Sequence, residues 1–133
     1  MKKIALAARI LLGLVYFIFG GMGLGIALGM IRMPDNPMPE AAAAFFAGIM
    51  ASKYFFPLLK GTETVCGFLL LTGRGAPLAL VILAPVTLNI FLFHYFLTPG
   101  PSELILPAAI AAAHILAMAG YWKLYKPLFG KGK

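Results

Sequence analysis

Four long apolar stretches, punctuated by short runs of glycine, proline and charge, take up most of this chain. They cover about residues 4–31, 54–72, 77–97 and 103–121, each near the twenty residues that carry a helix across a bilayer. Between the first two, Pro34, Pro37 and Pro39 forbid a continuous helix. The alanine-rich segment that follows, about residues 40–52, is apolar but too short to cross. It predicts a short helix lying on the membrane or dipping into it. Gly73-Arg74-Gly75-Ala76-Pro77 forms a tight turn, and Thr98-Pro99-Gly100-Pro101-Ser102 separates the last two stretches. Residues 122–133 make a basic, aromatic tail suited to a headgroup layer. The pattern predicts an all-α membrane protein: a single domain, a four-transmembrane-helix bundle with a short interfacial or re-entrant helix in its first outer loop.

Composition removes the soluble alternative. Of 133 residues, 62% are hydrophobic and 11% charged, with a mean hydropathy of +0.95. A domain this small cannot hide so much apolar surface from water. The net charge of +7 sits at the ends of apolar runs, where it orients spans rather than binding nucleic acid. Met1-Lys2-Lys3 before an apolar run resembles a signal peptide, but the run continues too far and lacks a small-x-small cleavage site, so it is read as an uncleaved span. Four spans put both termini on one side, with Lys2, Lys3, Arg9, Arg74, Lys123, Lys126, Lys131 and Lys133; Arg32 and Lys53 lie opposite. The positive-inside rule makes the termini cytoplasmic.

Glu63 stands out within the second span. A carboxylate in hydrocarbon costs roughly 2.5–3.5 kcal/mol on insertion scales, so it normally faces the bundle interior, has a partner and marks a working site. Counting about 1.5 Å per residue places Glu63, Asn89 and His114 at a similar depth, with Tyr16 near the same level. Lys60 lies one turn from Glu63 on the same face. Two readings of that pair stand: an internally neutralised ion pair that helps insertion, or a ligand site. On the third span, Pro85, Asn89 and Leu92 share one face, and Thr87, Phe91 and His94 another. His94 reads either as a site residue or as an interfacial histidine. His114 either bonds a neighbouring helix or exchanges protons with Glu63.

The remaining chemistry is sparse. The two histidines come from different helices without a short ligand motif, so no metal site is expected. The single cysteine, Cys66, reads as a small core residue. No phosphate loop, dinucleotide fingerprint or paired nucleophile and base is present, and no covalently bound cofactor is expected. Gly21, Gly25 and Gly29 recur every four residues, a ridge that either drives a homodimer or packs within the bundle. A second face, Arg9, Gly13, Tyr16, Gly20 and Gly23, offers room beside the polar layer.

Taken together, these residues resemble the DoxX-like family of small bacterial four-span membrane proteins. The resemblance runs through Ala8-Arg9-Ile10-Leu11-Leu12-Gly13 and Pro37-Met38-Pro39-Glu40-Ala41-Ala42. Its most distinctive part is Phe56-Pro57-Leu58-Leu59-Lys60-Gly61-Thr62-Glu63, with Gly67 and Leu69-Leu70-Leu71-Thr72-Gly73-Arg74 after it. Pro77-Leu78-Ala79-Leu80, Ala84-Pro85, Asn89 and Leu92-Phe93-His94 complete it. The chain departs at Gly20-Gly21-Met22-Gly23-Leu24, where relatives often carry asparagine or lysine. The resemblance implies the bacterial inner membrane and an association with quinone-linked redox complexes.

Three functions follow as expectations. The first is a membrane subunit that binds a lipophilic ligand, quinone or lipid, through Lys60, Glu63, Asn89, His94, His114 and Tyr16, with electrons supplied by a redox protein partner. The second is a non-enzymatic scaffold whose polar layer locks helix packing. The third is a lipid-modifying enzyme using the intramembrane acid.

Overall fold

The computed structural model describes residues 2–130; Lys131 and Lys133, which were counted among the basic residues of the termini, lie outside them. Helices α1 (Lys2–Ala27), α2 (Glu40–Ala51), α3 (Phe55–Thr72), α4 (Ala76–Leu97) and α5 (Pro101–Ala119) are followed by the single turn α6 (Trp122–Tyr125) and a 3-10 turn over Lys126–Phe129. Among the described residues there is no strand. Four of these helices, α1, α3, α4 and α5, are long and apolar enough to cross a membrane. They run alternately up and down. Around the bundle α1 lies between α3 and α5, and α4 closes the ring opposite α1. One end carries the N-terminus, the α3–α4 turn and the C-terminal tail; it is called the basic end. The other carries the long α1–α3 connection and is called the loop end.

The bundle buries little and exposes much. Leu12, Tyr16, Leu70, Leu80 and Leu83 are its largest fully buried side chains, while Phe68, Leu88, Ile105 and Ile115 stand outward and exposed. An apolar exterior around a thin core is stable only in a solvent that is itself apolar. The fold is that of a four-helix membrane bundle.

The α1–α3 seam is the tightest in the molecule. It is built on the Gly13, Gly20 and Gly23 face rather than on the Gly21, Gly25 and Gly29 ridge. A Cβ placed on Gly67 of α3 would lie 2.5 Å from the Phe17 nitrogen and 3.0 Å from the Gly13 carbonyl oxygen; one on Gly20 would lie 2.8 Å from Glu63 Cβ. Backbone approaches backbone here, as small residues allow in membrane bundles.

The expected ridge is shorter than its spacing implies: Gly21 and Gly25 lie on α1, but Gly29 does not. The first helix ends at Ala27 rather than at Ile31, with Gly29 at φ +77°. Met30 N–H donates to the Gly25 carbonyl (2.8 Å) and Gly29 N–H to that of Ile26 (3.1 Å). These two bonds make a Schellman stop, for which a left-handed glycine is the usual residue. Ile31 then folds back onto Gly25, while Gly21 is open.

At the loop end, α2 lies across the bundle. Phe46 packs edge-on against Phe56 of α3 (centroids 5.6 Å apart) and Phe45 against Phe93 of α4 (5.5 Å). Ser52 ties α2 to α3: its hydroxyl donates to the Ile49 carbonyl and accepts from Phe55 N–H. At the basic end, the Tyr125 hydroxyl donates to the Pro77 carbonyl at 2.6 Å and holds the tail against the start of α4.

Candidate functional site

Two polar groupings share the interior, and α1 touches both. The outer one is the Lys60–Glu63 pair on α3, with Nζ 3.4 Å from Oε2. Glu63 is buried at 3% exposure, held under Gly20. The Lys60 side chain keeps 21% exposure, and its ammonium lies 5.8 Å from the centre of the Phe56 ring, within cation–π range. Its stem crosses Gly23, where a Cβ would overlap it.

Lys60 leads outward into a cleft of about 300 Å³ at the loop end. Met22 and Gly23 of α1 form one wall, Met33 and Asn36 of the connection the rim, and Phe46 and Phe56 the other side. The volume is at the lower end of the range for ligand pockets, roughly 300–1,000 Å³, and the lining is of the usual kind: mostly apolar, with one or two polar groups at fixed places. Glu63 stands behind Lys60 as its counter-ion.

The inner grouping is a hydrogen-bond chain across three helices. Tyr16 of α1 bonds Thr87 of α4 (2.5 Å), Thr87 bonds His114 Nδ1 of α5 (2.7 Å), and His114 Nε2 meets the Leu80 carbonyl of α4 (2.8 Å). The carbonyl fixes the direction of the whole chain. It can only accept, so Nε2 carries the hydrogen. In a neutral ring Nδ1 is then the acceptor and takes the Thr87 hydroxyl hydrogen. The Thr87 oxygen is left to accept from Tyr16. All three side chains are buried and each has a partner. Replacing Thr87 by Val, nearly the same shape, should strand the Tyr16 hydroxyl and His114 Nδ1 together and cost about 2 kcal/mol. Tyr16→Phe removes only the first donor and should cost about half as much. Unfolding titrations of the two variants check the order, and nitrogen NMR of His114 checks the tautomer.

The structure brings together only part of the expected polar layer. Tyr16, Glu63 and His114 are interior, as polar groups within an apolar span should be. Asn89 is exposed, on the outside of α4 beside Phe45 and Phe93. The reason is angular: Asn89 follows Thr87 by two residues, about 200° round a helix, so the two cannot both face inward. The inward stripe of α4 is Ala76, Ala79, Leu80, Leu83 and Thr87, spaced by threes and fours. That spacing was the signal by which Thr87 could have been chosen over Asn89. His94 is half-buried, and its Nδ1–H donates to the Ile90 carbonyl of its own helix at 2.9 Å, away from the interior groupings. Among the described residues no three His, Cys, Asp or Glu side chains gather where an ion could sit. Cys66 is buried in the core beside Leu70.

No family model, no curated protein and no solved structure matches the chain.

Proposed function

We propose that this protein holds the polar head of a lipophilic molecule, a quinone or a lipid, in the loop-end cleft, with Lys60 as the contact and Glu63 as its counter-ion. The observation that carries the reading is that Lys60 belongs to both places. It lines an apolar cleft at the loop end of the bundle, and its ammonium pairs with the buried carboxylate. An ammonium so placed offers up to three N–H donors to a carbonyl or an anionic head, and Met22, Met33 and Phe56 offer apolar contact to a ring or tail. The resemblance to the DoxX-like family around Lys60 and Glu63 supports a quinone as the occupant, a bacterial inner membrane, and a place in a redox-linked complex whose electrons come from a partner protein; the excess of basic residues at the basic end supports cytoplasmic termini. The test is a photo-crosslinking residue at position 33 compared with one at position 105, on the lipid-facing side of α5. Position 33 should capture one discrete lipophile and position 105 a mixture of bulk lipids. The same mixture at both positions would overturn the proposal.

A second reading has its own observation. The chain from Tyr16 to the Leu80 carbonyl satisfies every side-chain group in it and joins three helices. Such a chain locks packing without any ligand, as a scaffold requires. The two readings concern different groups of residues, and both can hold.

A further inference from the structure

A second cleft lies at the opposite end of the bundle and concerns a different kind of ligand. It occupies about 200 Å³ between the first turns of α1 and the end of α5, lined by Lys2, Ala5, Leu6, Arg9, Gly120 and Tyr121. Its volume is roughly that of six or seven waters, enough for a phosphate group and the first atoms of its ester. α1 and α5 close its floor, since a Cβ on Gly120 would lie 2.6 Å from Ala5 Cβ.

Charge at this end is unbalanced. The chain has four acidic side chains. Asp35, Glu40 and Glu103 are at the loop end, and Glu63 is paired with Lys60. The basic end therefore has Lys2, Lys3, Arg9, Arg74, Lys123 and Lys126 among the described residues, with no carboxylate side chain to meet them. Arg9 is the most constrained of these cations. One Nη1–H donates to the Tyr121 hydroxyl at 3.1 Å. The guanidinium also lies against Gly73, where a Cβ would be 3.1 Å from Nη1. Its Nε is buried and finds no hydrogen-bond partner among the described residues. A guanidinium held in place, with donors to spare and no acidic side chain nearby, is matched to a phosphate, which it can grip with two parallel bonds. Lys2 supplies a second cation at the rim.

We propose that this cleft binds a phosphate ester, held by Arg9 and Lys2: the headgroup of an anionic phospholipid, or a free phosphate from the aqueous side. Native mass spectrometry of the purified protein, offered equal amounts of phosphatidylglycerol and phosphatidylcholine, provides the test. The wild type should retain phosphatidylglycerol selectively. Arg9→Gln should weaken that retention about tenfold, the worth of one hydrogen bond to a charged group. Leu6→Trp fills the cleft but alters no charge, and should weaken retention to a similar degree; it also keeps the test alive if Arg9→Gln fails to fold. Lys123→Gln, outside the cleft, should leave retention almost unchanged. Millimolar inorganic phosphate separates the sources: displacement of the lipid, with equal thermal stabilisation by phosphate alone, assigns a free phosphate, and no displacement assigns the lipid. Equal retention of the two lipids would overturn the proposal. So would a loss with Lys123→Gln matched by none with Leu6→Trp, because attraction would then come from the surface as a whole.

Discussion

Lys60→Met is expected to destabilise the protein by about 3 kcal/mol, and Glu63→Gln by only about 1 kcal/mol. The asymmetry follows from where the two charges can go. Glu63 is enclosed, under Gly20 and within the α1–α3 seam. Without the ammonium its carboxylate is a buried, unpaired charge, the situation in which breaking an ion pair costs most. Lys60 has an exit: its side chain is 21% exposed and extends into the loop-end cleft. Without the carboxylate its ammonium can turn toward the aqueous rim along its four-carbon stem. The double variant should recover most of what Lys60→Met loses, since it leaves no stranded charge. The shortfall from additivity then measures the coupling. Unfolding titrations of the four proteins in a detergent mixture supply the cycle. Equal losses for the two single variants, or a double variant that is simply additive, would contradict the placement of Lys60 at the cleft.

Gly67→Ala should be as damaging, about 3 kcal/mol, although it adds only a methyl group. The added carbon would meet the Phe17 nitrogen at 2.5 Å and the Phe17 Cα at 2.9 Å. Both are backbone atoms and cannot rotate away, so α1 and α3 must separate along their length. Gly20→Ala, 2.8 Å from the Thr64 nitrogen, should behave likewise. Gly21→Ala meets nothing within 4 Å and should be neutral or slightly stabilising, because alanine is the better helix former. The same titrations distinguish the two faces of α1. A stable Gly67→Ala protein beside a damaged Gly21→Ala protein would mean that α1 presents its other side to the bundle.

Span number and order rest on hydropathy and on prolines and glycines between spans, both large effects, and the helices match them to within a few residues. The apolar run Leu28 to Ile31 makes the expected first helix too long, because hydropathy does not register the left-handed turn that Gly29 makes. For polar residues, depth could be counted but facing could not be decided by depth alone. Glu63, Tyr16 and His114 were found because a polar group in an apolar span must turn inward. Asn89 broke that expectation because it lies beside α2, on the face opposite Thr87. Thr87 carries no such signal, because a threonine hydroxyl in a membrane helix can return to its own backbone. The loop-end cleft, lined by Lys60 but by none of Glu63, Asn89, His94 and His114, was not legible in the sequence. Its walls come from a connection without helical periodicity, around Met33 and Asn36, and no spacing rule predicts how such a segment folds back.

If Lys60 and Glu63 serve a bound lipophile, the purified protein should carry that molecule in a measurable amount. Wild type and the Lys60→Met, Glu63→Gln double variant would be isolated from the same membranes, extracted into organic solvent and quantified by mass spectrometry. The double variant leaves no stranded charge and should keep the fold, which its unfolding titration checks, so that lost binding is separated from unfolding. The account predicts one enriched quinone or lipid with the wild type, near one per chain, and its loss from the double variant. A double variant that carries the same molecule in the same amount, or a wild type that carries only the lipids of the surrounding membrane in their bulk proportions, would contradict it.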